Sequence, residues 1–446
     1  MVIVDRELQK REQSGAPIRV GVVGAGYMGR GIVTQLLRPP VGMRLAAISN
    51  RTVEKVERIL LNAGIGHFLR AGSSAQVEHA VARREYAVTD NPTLLCDAEN
   101  IDAIVDATRD IEFGAQVAMR AIKHGKHIVL NAILDATVGP LLKTYADRYG
   151  VVLTYTDGDE PGVAANLVRF VKSIGYEPVA AGNLKGLLDP HRTPETQKAF
   201  AQRVNQSAEM ITSFADGTKL AIECAILANA TGFKTGKRGM YGPRCAHIRD
   251  AAALFPKEQL LNGGLVDFVL GAEPGTGAWV IGYNEVPVNR EYMQYFKMGE
   301  GPFYVFHTPF HLPHLQVLNT IARAALFHDA TVAPLDQPVC DVLTVAKRDL
   351  KSGEILGPVG GFDYYGVLDS ANTVQQERLL PVGLAEGHRL SRDVRKDQPI
   401  TYMDVSAPRR DRLCDVLRAE QDARFFAPTH TPSVAAAAHA SPIARY

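Results

Sequence analysis

The sequence predicts an α/β fold: a doubly wound parallel sheet at the N-terminus, a mixed α+β domain in the middle, and a small, mostly β domain near the C-terminus. Apolar, β-branched runs alternate with helical stretches as far as residue 156, the pattern changes character from residue 157, and it changes again beyond Pro334 and Pro338. With 446 residues, the chain has room for two or three domains.

The opening MVIVDRELQKREQSG is charged within five residues and predicts a short helix, not a signal peptide. In residues 17–30, PIRVGVVGAGYMGR, a β-branched run precedes three glycines, and GIVTQLLR follows with helical spacing; this is a strand, a tight turn and a helix. MRLAAISN (43–50), IDAIVDAT (101–108), HIVLNA (127–132) and VVLTYT (151–156) supply further strands. A charged helix starts at Glu54, and the helix AQVAMRAIKHG (115–125) stops on Gly125, a residue suited to the left-handed cap. Such alternation implies a parallel sheet covered on both faces. Next come a helix in VAANLVRFVKSIG, a strand in AAGNLKGLL, and a helix in ADGTKLAIECAILANATG with an Asp cap and a Gly stop. The expected divisions are a nucleotide-binding domain 1–156, a substrate-binding and dimerisation domain 157–334, a small domain 335–410 and an extension 411–446. The extension's low-complexity tail from Ala427 is expected to be flexible and to stay outside any core.

Composition narrows the function. With 46% hydrophobic and 22% charged residues the chain is an ordinary globular one, and it has no apolar run of ~18 residues to span a membrane. Lys and Arg total 49 against 48 Asp and Glu, a formal charge of +1, so nothing draws the whole molecule to nucleic acid and any anion site must be local. The five cysteines form no CxxC pair, which argues against a zinc ribbon or a disulfide framework and for a reducing, cytoplasmic setting. The absence of a GxSxG motif gives a hydrolase little support.

Gly24-Ala25-Gly26-Tyr27-Met28-Gly29 is a GxGxxG between a strand and a helix. Glycine serves the tight turn, the approach of backbone to a pyrophosphate and the helix–strand contact, so a dinucleotide is expected in a Rossmann-type domain. The second strand ends Ser49-Asn50-Arg51-Thr52, without the carboxylate that bonds the ribose of NAD. A guanidinium there attracts a 2′-phosphate, which favours NADPH. Thr108, Arg109, Asn131 and Ala132 fall at strand ends and line the same crevice by topology. So do Asp157, Asp159 and Glu160, three carboxylates in four residues that need a cation, nearby donors or raised pKa values. Mg²⁺ or Mn²⁺ is one answer and helix N-capping another; the sequence names no metal ligands.

For the substrate, Lys185 is a lone cation at the end of a small-residue strand. Lys219 and Glu223, four apart, share one face of an otherwise apolar helix, where a charged pair must be satisfied or used. Lys234, Lys237, Arg238 and Arg244 in GFKTGKRGMYGPRC, with glycines and prolines between them, form a local anion cradle whose simplest occupant is a phosphate. His307, His311 and His314 have ligand-like spacing, but Pro309 and Pro313 interrupt a helix across them, and packing or an interface contact is preferred to a metal site.

GVVGAGYMGRG, VDAT, HIVLNA and TYTDGDEPG resemble the homoserine-dehydrogenase type of Rossmann oxidoreductase. VAKRDLKSGEIL, GLAEGHRL and KDQPITYMDV resemble an SAF module. Together with DGTK, the NATG turn and GKRGMYGP, the chain to about residue 410 is similar to the DXP reductoisomerase-like (DRL) proteins. The resemblance implies a homodimer that converts 1-deoxy-D-xylulose 5-phosphate to 2-C-methyl-D-erythritol 4-phosphate with NADPH, in the MEP pathway of isoprenoid biosynthesis, and is inhibited by fosmidomycin. In the favoured reading, Lys237, Arg238 and Arg244 hold the phosphate by charge-assisted hydrogen bonds, Lys185 and Lys219 polarise the ketone, and Asp157, Asp159 or Glu160 handles a proton or a divalent ion. The metal motif of ordinary DXP reductoisomerase is not present. Two alternatives stay open: a dehydrogenase of homoserine or of a sugar-acid-like hydroxy acid, and a non-enzymatic NADP-binding regulator.

Overall fold

The computed structural model describes residues 3–38, 40–406 and 412–426. The first helix, Asp5–Gln13, forms as the sequence predicts. Strands β1 (Ile18–Val23), β2 (Met43–Ser49), β3 (Phe68–Arg70), β4 (Tyr86–Thr89), β5 (Ala103–Asp106), β6 (His127–Val129) and β7 (Leu153–Thr154) make one sheet of order β3-β4-β2-β1-β5-β6-β7. Every pairing in it is parallel. The chain builds outward from β1 to one side and then crosses to β5, so the crevice at the switch point opens above the ends of β1 and β5. The expected α/β class is therefore observed. Strands β3 and β4 were not foreseen: FLR and YAVT lack the longer apolar run that marked the other strands of the sheet.

The second sheet has the order β11-β10-β8-β9, with β8 (Glu177–Lys185), β9 (Leu265–Leu270), β10 (Ala278–Tyr283) and β11 (Phe303–Thr308). Only the β8–β9 pair is parallel. Helices Glu160–Ser173 and Thr218–Thr231 share a core with one face of this sheet, through Val171, Ala225 and Phe268. On the other face Ile248, Phe255 and Leu260 pack with Trp279. The Thr218–Thr231 helix starts after Gly217, which is left-handed at φ 88°, and it stops on Gly232, left-handed at 81°. The cap position is thus Gly217 and not the expected Asp; Asp216, one residue earlier, still accepts the Thr218 N–H at 2.9 Å.

The C-terminal unit is a two-stranded antiparallel sheet, β12 (Cys340–Ala346) with β13 (Tyr364–Ser370), extended by isolated bridges such as Val345 with Pro399. The first part of the extension is helical. Leu413–Phe426 is a helix that buries Leu413, Cys414 and Leu417 in the Rossmann core, and its Arg418 pairs with Asp341 of β12 at 2.6 Å. The low-complexity tail beyond it lies outside the described residues. All five cysteines are free, and among the described residues no helix is long and apolar enough to cross a membrane.

Candidate active site

The glycine turn is built for close approach. Gly24 is left-handed at φ 100°, and a Cβ on Gly29 would sit 2.0 Å from the Gly24 carbonyl oxygen, so neither position admits a side chain. Gly26 begins the helix Tyr27–Leu36 without a side-chain cap, and nothing lies within 4 Å of where its Cβ would be. Open space therefore lies beside the helix N-terminus, where a pyrophosphate would fit. Tyr27 beside it is exposed and Met28 half-buried. Asn50 braces this turn: its Oδ1 accepts the Ala25 N–H at 3.0 Å and its Nδ2 donates to the Thr52 carbonyl at 2.8 Å. Arg51 is exposed and has no ion-pair partner among the described residues. Across the crevice, Asp106 accepts the Thr108 N–H at 2.9 Å and Asn131 Nδ2 at 2.5 Å. Asn131 Oδ1 in turn caps the helix Ala132–Arg148 through the Leu134 N–H. Arg109 is exposed, its guanidinium 3.4 Å from Ser207 Oγ.

Beyond this crevice lies a buried charge cluster, which the local geometry of three elements assembles. Alternation along β8 sends Asn183 and Lys185 to the same face, and helical spacing stacks Lys219 over Glu223. Asp159 and Glu160 start the helix Glu160–Ser173, just after β7. Lys219 Nζ lies 2.8 Å from Asp159 and 2.9 Å from Glu223; Lys185 Nζ lies 3.6 Å from both Glu160 and Glu223. Asn183 donates to Glu223 at 2.7 Å, and the Tyr155 hydroxyl donates to Asp159. The Glu223 side chain is only 2% exposed.

Burial and charge drive the two adjacent carboxyls apart. Burial raises Glu160, the neighbouring Glu223 charge raises it further, and it stays protonated well above the ordinary range. Burial also raises Asp159, but the Lys219 ammonium and hydrogen bonds from Glu160, Lys219 and Tyr155 outweigh it and hold Asp159 below that range. Both lysines lose solvation, yet their carboxylate partners keep them charged, with Lys219 well above its usual value. Burial, then the Asp159 charge, keeps the Tyr155 phenol protonated.

The structure thus brings together Lys185, Lys219, Asp159, Glu160 and Glu223, but it corrects two expectations. Asp157 is not part of the cluster. Its carboxylate accepts from Asn166 and from Arg323, which is itself 0% exposed, so it anchors the helix Pro313–Phe327. The four cations of the basic loop do not converge either. Lys234 bridges Leu265 at one end of β9, and Arg244 bridges Leu270 at the other, about 17 Å away at ~3.3 Å per residue. Lys237 lies over the Tyr241 ring, 5.3 Å from its centroid. Arg238 is bound to Asp369 at 2.6 Å and Glu377 at 2.7 Å. Asp267, fully buried in β9, fastens the loop by accepting the N–H groups of Tyr241 and Gly242.

Three members of the site were missed. Tyr155 and Asn183 carry no local signal, since a Tyr or Asn within a strand reads as packing. His311 was weighed only as one of three histidines. The structure separates these: His314 packs on Gly31, His307 lies edge-on to His247, and His311 Nε2 comes within 3.5 Å of Glu160. Ligand atoms of Asp159, Glu160 and His311 all lie within 4.8 Å of one another, a set that would fit a divalent cation.

Residues 18–132 match the family model for the GFO/IDH/MocA oxidoreductase family, NAD-binding Rossmann fold, and residues 158–317 match that for the oxidoreductase DRL catalytic domain. The chain is an NAD(P)-dependent oxidoreductase, similar over residues 158–317 to the DRL catalytic domain. The glycine turn lies in the first matched segment of this oxidoreductase, and Asp159, Glu160, Lys185, Lys219, Glu223 and His311 all lie in the second. No curated protein matches it. Among solved structures, the oxidoreductase is similar to a homoserine dehydrogenase from Thiobacillus denitrificans (16% identity, 86% of this chain and 97% of that one, TM-score 0.44). It is also similar to biliverdin reductase from Synechocystis sp. PCC 6803 (12%, 69% and 90%, 0.37). With an NAD binding oxidoreductase from Klebsiella pneumoniae (18% identity, TM-score 0.30) the likeness spans 39% of this chain and 43% of the length of that one.

Proposed function

We propose that this oxidoreductase rearranges and reduces a phosphorylated keto sugar, 1-deoxy-D-xylulose 5-phosphate, to 2-C-methyl-D-erythritol 4-phosphate with NADPH. The observation that carries the reading is the coincidence of the buried Lys–carboxylate cluster with the segment matching the DRL catalytic domain. Rearranging an α-hydroxy ketone requires a polarised carbonyl, an acceptor for a hydroxyl proton and a donor for the developing alkoxide. Lys185 and Lys219, charged and held by carboxylates, supply fixed positive charge at the oxygen. Environments that push two carboxyls apart also divide their roles: Asp159 is the anion that accepts, and Glu160 is the acid that donates. Exposed Arg51 supports the choice of NADPH, since no carboxylate stands where a 2′-phosphate would lie. With Glu160 ionised in place of donating its proton, Asp159, Glu160 and His311 would hold a divalent ion, and two oxygens with an imidazole suit Mn²⁺ better than Mg²⁺. When bound, such an ion supplies Lewis acidity at a substrate oxygen.

A cytoplasmic homodimer completes the proposal. The helix Pro287–Tyr295 buries none of its residues, and Tyr292, Tyr295 and the adjoining Phe296 are 61%, 79% and 66% exposed, an apolar surface that a second copy would cover. Light scattering on the eluted protein tests this, and a monomer at micromolar concentration would remove it.

The reaction is tested by following NADPH oxidation with 1-deoxy-D-xylulose 5-phosphate and Mn²⁺ or Mg²⁺, with the product identified and fosmidomycin as inhibitor. Turnover to methylerythritol phosphate, lost in Lys219→Met, supports the reading. Tight NADPH binding without turnover overturns it. A second reading, a dehydrogenase of homoserine or another phosphate-free hydroxy acid, is favoured by the dispersal of the basic loop and by the commitment of Arg238 to Asp369 and Glu377. The same assay with those substrates decides between the two.

A further inference from the structure

We infer that the C-terminal unit is a positioning device for the active site, acting through a buried Lys347–Asp216 pair that sets the start of the helix carrying Lys219 and Glu223. The inference rests on the reading of Lys219 and Glu223 as active-site residues. The start of that helix is weakly determined by its own sequence: Gly217 at the N-cap offers no side chain and takes a left-handed conformation. The C-terminal unit supplies what is missing. Lys347, which follows β12, donates to Asp216 Oδ2 at 2.9 Å and to the Gly361 carbonyl at 2.8 Å. The two side chains of the pair are 2% and 0% exposed. Asp216 Oδ1 then holds the Thr218 N–H at 2.9 Å, while the Thr218 hydroxyl accepts the Gly366 N–H of β13 at 2.8 Å.

Two bonds from the C-terminal unit therefore grip residues 216 and 218, on either side of the left-handed glycine and immediately before Lys219. The contact is close: a Cβ on Gly366 would stand 3.0 Å from Thr218 Cγ2. The Arg238 clamp on Asp369, together with the Gly239 N–H bonded to the Leu368 carbonyl at 2.8 Å, ties a second segment of the catalytic domain to β13. A rotation of the helix start by a fraction of a turn would move Lys219 Nζ off Asp159, and misplacing a reacting group by about 1 Å can cost ~10²-fold in rate.

The test compares Lys347→Met, the double variant Asp216→Asn/Lys347→Met, which leaves no orphaned charge, and Thr218→Val, which removes the Gly366 acceptor at nearly constant shape. Positioning predicts that all three bind NADPH as the wild type does, since the glycine turn is untouched. It also predicts that kcat falls about ten- to hundred-fold with little change in KM, and that the double variant recovers thermal stability without recovering kcat. Folded variants with wild-type kcat, or a double variant that regains stability and kcat together, would overturn the inference. A crystal structure of Lys347→Met reads the same point without any substrate. Lys219 Nζ displaced from Asp159 supports positioning whatever the reaction proves to be; an unchanged 2.8 Å contact contradicts it. Failure of the wild type to turn over the proposed substrate would bear on the function alone.

Discussion

Asp135 offers a quantitative test of the electrostatics that organise this chain. It lies in the first turns of the helix capped by Asn131, is 1% exposed, and neither of its carboxyl oxygens has a hydrogen-bond partner among the described residues. A Cβ on Gly139 would stand 2.2 Å from its Oδ1, so the group is enclosed on that side too. With no countercharge nearby, burial alone pushes its carboxyl from 3.8 up to about 7. The fold thus keeps a proton that the unfolded chain releases above its ordinary pKa. Stability must fall as pH rises from about 4 to about 7 and level off beyond. A shift of about three units corresponds to about 4 kcal/mol at 1.36 kcal/mol per unit. Asp135→Asn keeps the shape and cannot ionise. Its unfolding free energy, from urea titrations at a series of pH values, should match that of the wild type within about 1 kcal/mol near pH 4 and exceed it by about 2–4 kcal/mol near pH 8. Parallel stability curves for the two proteins would refute the reasoning, because they would mean that Asp135 ionises freely inside the fold.

Four further outcomes are expected. Lys219→Met should lower kcat by about 10²–10³-fold, the usual loss for one preorganised donor, while leaving the NADPH dissociation constant from calorimetry unchanged. Gly29→Ala, whose Cβ would meet the Gly24 carbonyl, should lose both cofactor binding and thermal stability; Gly26→Ala, with open space around it, should keep its stability and lose binding only, a contrast that melting curves with and without NADPH would reveal. Arg51→Ser should reduce the preference for NADPH over NADH by about ten- to hundred-fold in a competitive binding titration, the worth of a hydrogen bond to a charged group. Arg238→Ala should cost about 1–2 kcal/mol of stability in denaturant titrations, by leaving Asp369 without its partner, and should leave substrate KM unchanged; a raised KM with intact stability would return Arg238 to the phosphate site.

Much of the N-terminal domain was legible because its signals are local. A glycine spacing, a strand before it and a helix after it are fixed within one stretch of chain, and Gly24 and Gly29 do what such glycines are expected to do. Lys219 and Glu223 were legible for a similar reason: a charged pair on a buried helical face is an anomaly visible in a nine-residue window. Tyr155, Asn183 and His311 were not, since each becomes functional only through residues distant in sequence, such as Glu223 forty positions after Asn183. The basic loop misled because composition reports charge but not partners. Arg238 finds Asp369 some 131 residues later, an acid whose presence no reading of GKRGMYGP contains. Asp157 misled through adjacency: it lies in the turn before the helix and reaches Arg323, while Asp159 and Glu160 at the helix start face the lysines.

The correction to the basic loop changes what the cluster has to accomplish. Two lysines are set against Asp159 and Glu223, and Glu160 remains neutral, so the buried group is balanced as it stands. A balanced network can be buried without the solvation penalty of an unpaired ion. For the same reason it exerts little net pull on an anionic substrate, and recognition of a phosphate would fall to groups outside it. Arg244 is the member of the loop best placed for this: it lies at the Lys185 end of β9, is exposed, and has no ion pair among the described residues. On the proposed reading, the interior cluster would direct proton and charge movement at the reacting carbons. One rim cation, not a cradle of four, would then separate a phosphorylated substrate from an unphosphorylated one.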